Sequence, residues 1–167
     1  MRMSAASGWA QRKIKIADVN MNYAKLVREI LDIAIKQSGI NMAIDEDPYL
    51  INSMQSSKFP VFVCAPTEPQ IERENYYEFH LTLYYIDREQ AANTEYGNAE
   101  TSNIHSAGIS ILGNVIKKIR AIDEVISVDE NISYTLFNDT EVFADRCNGV
   151  YTTITVIVPK DSNCATY

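Results

Sequence analysis

The residues best able to do chemistry in this chain are two histidines, three cysteines and the carboxylates near them. His80 stands close to Glu78 and Tyr84. On a strand that spacing puts all three side chains on one face, where an acid, a base and a hydroxyl could serve a bound ligand. His105 falls at the start of a helical pattern. Neither histidine takes part in an HExxH or facial-triad spacing, so no metal site is expected. Cys64, Cys147 and Cys164 are odd in number and share no CxxC or Cys/His spacing, which suits reduced thiols in a cytosolic setting. Asp145 and Arg146 precede Cys147 and admit two readings, a thiol of lowered pKa or a loop ion pair beside a small buried residue; the second is far commoner. The six glycines form neither a GxGxxG nor a phosphate loop, and there is no GxSxG. No cofactor and no enzymatic activity are expected.

The elements that would carry these residues are legible in part. Tyr76 to Arg88, YYEFHLTLYYIDR, is the longest strand signal. Tyr77, Phe79, Leu81, Leu83 and Tyr85 alternate with Glu78, His80, Thr82 and Tyr84, so one face is core and the other half polar. At ~3.3 Å per residue this strand runs roughly 40 Å, longer than a small domain needs, which suggests a sheet continuing into a neighbour. Before it, an N-cap at Asn20 or Asn22 opens an amphipathic helix through Tyr23, Leu26, Val27, Ile30, Leu31, Ala34 and Ile35, stopped by Gly39. The acidic turn at 45–48 matches no EF-hand. Val61 to Cys64, bracketed by Pro60 and Pro66, reads as a short buried strand that forms a hairpin with the long one. After a polar stretch from Glu89, a second helix is expected, capped by Thr101, Ser102 or Asn103 and carrying Ile104, Gly108, Ile111, Leu112, Val115, Ile119 and Ile122. Gly108 there points to close packing on the sheet. Strands at Ile132 to Phe137 and Val150 to Pro159 complete the set, the last apolar on both faces and hence central.

The order α-β-β-α-β-β predicts an α+β fold, a single domain with a four-stranded, mainly antiparallel sheet and two helices on one face. Residues 1–20 form an extended basic arm, 21–160 the domain and 161–167 a loose tail. No apolar run is long enough for a membrane span, so the chain is expected to work in water.

Charge is unevenly divided. Arg2, Arg12, Lys13 and Lys15 against Asp18 give the arm +3, and since the whole chain is −7 the remainder is −10. An acidic body does not hold DNA by counterion release. The arm admits two readings: a solvated terminus, or a segment lying on an identical, acidic neighbour. Within it Ile14 and Ile16 alternate with Lys13 and Lys15, the pattern of an extended segment suited to pairing with a sheet edge. Trp9 is either an anchor in a partner's pocket or a residue sequestered within its own chain. Tyrosine is abundant, ten in all, and Tyr76 and Tyr84 on the outer face of the long strand are either sheet covering or partner contacts. The candidate subunit-interface residues are Trp9, Arg12, Lys13, Lys15, Tyr76, Glu78, His80, Tyr84 and Tyr96.

The run of KFPVFVCAP, YYEFHLTLYYIDR, SNIHSAGISILGNVI and FADRCNGVYTTITVIVP resembles virion proteins of crAss-like and related Bacteroidetes bacteriophages, over roughly residues 22–164. The order of elements is similar to that of tail-terminator and tail-completion proteins, whose rings join head and tail. The arm before Asn20 departs from the shorter terminator pattern. The resemblance implies a structural subunit of a six- or twelve-fold homo-oligomeric ring in the head-to-tail connector. Its partners would be the portal and neighbouring tail proteins, DNA would pass through its lumen, and assembly would occur in the bacterial cytoplasm. The other expectations are a tail-tube or minor tail subunit and, from a different class, a small ligand-binding or enzymatic module using the Glu78, His80 and Tyr84 face.

Overall fold

The structure, a computed structural model, describes residues 21–48, 58–88, 99–139 and 147–160. Helix α1, Tyr23–Ile35, starts where Asn22 caps it, the Asn22 side chain accepting the Lys25 backbone N–H at 2.9 Å. Its apolar stripe of Leu26, Val27, Ile30 and Ala34 is buried, and Gly39 beyond it takes a φ of 91°, in the left-handed region open to glycine. Helix α2, Ala99–Ile119, buries Ile104, Leu112, Val115, Ile116 and Ile119.

Seven strands form one mixed sheet rather than four antiparallel ones: β1 Met42–Ile44, β2 Val61–Pro66, β3 Ile71–Glu72, β4 Tyr76–Arg88, β5 Ser127–Val128, β6 Thr135–Asp139 and β7 Cys147–Pro159. The expected strands are all present, and β4 and β7 are its centre, paired antiparallel from Tyr76 and Pro159 to Arg88 and Cys147. The other edge of β4 carries β2 and then β3, both antiparallel, and the other edge of β7 carries β6 and then β5. β1 lies outside β2 and runs parallel to it. The great length of β4 is therefore used within the chain, two short strands end to end beside each long one. It does not by itself call for a neighbour.

Both helices lie on one face, as expected. Phe79, Leu81, Leu83 and Tyr85 of β4 and Val150, Ile154, Val156 and Val158 of β7 share one buried cluster with Leu26, Ile30, Leu112 and Ile116 of the helices. The opposite face holds a smaller cluster at one end of the sheet: Phe59, Val61, Val63, Ile86 and Cys147, with Met42, Ile44, Tyr84 and Phe137 against it. None of its members is on a helix.

Other boundaries also differ from expectation. Thr101, Ser102 and Asn103 are inside α2, which begins by Ala99, so they do not cap it. The third expected strand pairs only from Thr135, because Ile132 and Tyr134 ahead of it pack onto the main core outside the ladder. Cys147, Asn148 and Gly149, ahead of the expected strand start at Val150, are the first residues of β7. Gly108 does sit tight on the sheet: a Cβ there would lie 2.7 Å from Val150 Cγ2 and 2.9 Å from Tyr85 Cδ1.

Candidate functional site

On the face of β4 that carries Glu78, His80 and Tyr84 most polar groups pair within the chain, and the exception is the His80 Nε2, which is buried without a hydrogen-bond partner. Glu78 is ion-paired with Arg73 of the β3–β4 turn at 2.8 Å, which occupies the carboxylate a general base would need. His80 is fixed by its backbone: Gln70 accepts its N–H at 3.0 Å and donates to its carbonyl at 2.9 Å, a side chain standing in for a neighbouring strand. The His80 Nδ1 is 3.4 Å from the Thr155 hydroxyl on β7. Next along the face, Thr67, Thr82 and Thr153 form a hydroxyl chain with links of 2.5 and 3.1 Å. Tyr84 lies about 13 Å along the strand from His80 at ~3.3 Å per residue, and packs against Tyr151 with ring centroids 5.4 Å apart and planes tilted by 34°. Glu78 and His80 are thus neighbours, while Tyr84 belongs to a separate aromatic patch. Tyr76, at the start of β4, is half-buried opposite Pro159. Trp9, Arg12, Lys13, Lys15 and Tyr96 lie outside the described residues.

The thiols are no better placed for catalysis. Cys64 is fully buried, and burial together with the nearby Asp45 carboxylate pushes its thiol up to about 12. Cys147 is also buried, so a reactive-thiol role finds no support in its surroundings. In a chain carrying Cys164→Ser, the native protein should react with a disulfide reagent at least ~10³-fold more slowly than the unfolded one, because attack must wait for opening. Rapid release of reporter thiolate from the folded chain would contradict this. Among the described residues no group of three or more His, Cys, Asp or Glu side chains could hold a metal ion, and His105 Nε2 lies 3.1 Å from the Phe137 carbonyl instead. No described helix is long and apolar enough to cross a membrane.

What the sheet does leave open, among the described residues, is its two edges. Along β7, Ile126 N–H donates to the Ile157 carbonyl at 2.8 Å, so the odd-numbered residues of β7 face β5 and β6. Phe137 therefore exchanges hydrogen bonds with Gly149, and the backbone groups of Leu136 and Asn138 point away from the sheet. Leu136 is 50% exposed. Ile109 of α2, 39% exposed, is one turn beyond His105, whose contact with Phe137 places that face of the helix over β6. Further along the same edge, Ile126 is 60% exposed and borders a shallow depression with Arg120, Val128 and Glu130. On the other side of the sheet, β1 has no further strand beyond it among the described residues. It leads into an exposed acidic run, Asp45, Glu46 and Asp47, which with Pro48, Ala65, Pro66 and Tyr84 lines a shallow groove. Sequence periodicity counted Leu136 with the apolar residues of its strand and left Ile109 off the apolar face of its helix, and only the strand pairing reveals that Leu136 lies exposed at an edge.

No family model matches the chain, and no curated protein matches it.

Proposed function

We propose that this chain is a structural virion protein, a subunit of a homo-oligomeric ring in a phage head-to-tail connector, related to the tail-terminator and tail-completion proteins. The observation that carries the reading is the pair of unlike open edges, β1 on one side of the sheet and β6 with exposed Leu136 on the other. Two different surfaces on opposite sides favour a head-to-tail contact, and such a contact makes a ring when the rotation between copies closes. The sequence resemblance supplies the place, between portal and tail, and the −10 body suits a channel that lets DNA through without gripping it. In this reading the chain catalyses nothing and binds no cofactor, and the Glu78–Arg73 and His80–Gln70 pairings are sheet construction. It works at the head-tail junction of the virion after assembly in the bacterial cytoplasm.

Electron microscopy of the purified chain at high concentration tests this. Closed rings of one size, six- or twelve-fold, are expected. Open tubes would transfer the chain to the tail-tube class, and a persistent monomer that also fails to join a portal would overturn the ring.

A further inference from the structure

The open edge of β6 shows what it would accept, and we infer that residues 12–16 of the next copy add to it as an antiparallel strand. This inference rests on the ring reading and names the element that closes each joint. The edge offers the outward N–H and C=O groups of Leu136 and Asn138, with the Leu136 side chain on the helix side. An added strand must therefore be apolar on one face and tolerate water on the other. Arg12 to Ile16 has that alternation. With Ile14 opposite Leu136, Ile16 falls opposite Tyr134 on the helix side. Lys13 and Lys15 then fall on the open face, opposite Phe137 and Thr135.

The place where the arm leaves the domain decides whose edge it meets. Helix α1 packs on β1 and β2 as well as on α2, so the described chain begins, at Met21, on the β1 side of the sheet. Its own β6 is four strand spacings off, about 19 Å at ~4.8 Å each, with α2 packed on β7 in the way. In a head-to-tail row the edge facing β1 is the β6 edge of the next copy, well within the ~20 Å that six extended residues span. The arm's own β1 is nearer still, but handedness opposes it. The Thr67 N–H donates to His80 and the Lys160 N–H to Asn75, which fixes which way each strand's backbone groups point. Seen from the helix side with β1 running upward, β2 lies to its left. A parallel strand to the right of β1, joined back to it through α1, would make a left-handed crossover, an arrangement found in only about 2% of such units. Charge favours the joint as well, a +3 arm on a −10 body.

The test uses full-length chains carrying Cys164→Ser. One chain also has Ile14→Cys, another Leu136→Cys, and the two are mixed, allowed to assemble and treated with a short bismaleimide. A cross-linked heterodimer on a denaturing gel is expected. A chain carrying both Ile14→Cys and Ala43→Cys should give at least ten-fold less internal cross-link. Rings that form without the Ile14–Leu136 cross-link, or a dominant internal link to Ala43, would overturn this inference and leave the ring standing. Failure to form any oligomer would remove both. As a second readout, deleting residues 1–19 should weaken assembly at least ten-fold with an unchanged melting temperature, and unaltered rings from the truncated chain would also overturn it.

Discussion

Replacing Gly149 with alanine is expected to lower the melting temperature by about 6–12 °C, the largest effect expected from a methyl added at any described glycine. Gly149 lies in β7 between the two strands that flank it, paired with Ile86 of β4 and Phe137 of β6. A Cβ at that position would overlap the Tyr85 carbonyl oxygen and come within 2.5 Å of the Phe137 ring. The first obstacle is backbone in the centre of the sheet, so relief requires β4 and β7 to separate. Overpacking of that kind costs about 3 kcal/mol or more, and each kcal/mol moves the midpoint by roughly 2–4 °C in a domain of this size. Gly108→Ala is the informative contrast. There the obstacles are side-chain carbons of Val150 and Tyr85, and the gain in helix propensity offsets about 1 kcal/mol of the clash. Thermal unfolding of the two variants side by side should rank Gly149→Ala as clearly the worse, and equal or reversed shifts would mean that the packing of β7 against β4 and β6 is not as described.

The second large effect separates assembly from folding. Leu136→Asp changes a side chain that is half in water in the isolated chain, so its effect on stability should stay within about 0.5 kcal/mol. In the ring the same position is covered by the neighbouring copy. A carboxylate held there without a partner loses its hydration, a cost of several kcal/mol, so association should weaken about 100-fold or more. Mass photometry over a range of concentrations, paired with a melting curve, reads both quantities. Rings that persist at the wild-type concentration would show that the β6 edge takes no part in the contact. A melting temperature that falls with the assembly would show that Leu136 is a core residue after all.

The strong periodic signals were reliable guides to the fold. The stripe of α1, apart from Ile35, which is exposed, and the full extent of β4 stand in the sequence as they stand in the fold, because a long amphipathic pattern can be buried in only one way. The short strands β1, β3 and β5 have two or three residues each, too few to alternate visibly, and they exist because β4 and β7 offer edges to pair with. Cys147, Asn148 and Gly149 look like a turn from composition. They are strand because β4 and β6 hold them from both sides, and glycine is what lets Phe137 and the Tyr85 carbonyl approach. The candidate surface was harder to read. Glu78, His80 and Tyr84 do share a face, but their polar partners, Arg73, Gln70 and Thr155, come from segments whose proximity follows only from pairing. Leu136, by contrast, is exposed although its type and alternation suit a core position, because β6 is the last strand on its side among the described residues.

The measurement that bears most directly on the function is a reconstruction of the virion that contains this chain. The account predicts density for this fold at the head-to-tail junction, repeated as a closed ring between portal and tail, with a strand from each copy lying along β6 of the next. Absence of the chain from purified virions, or its location away from that junction, would contradict it.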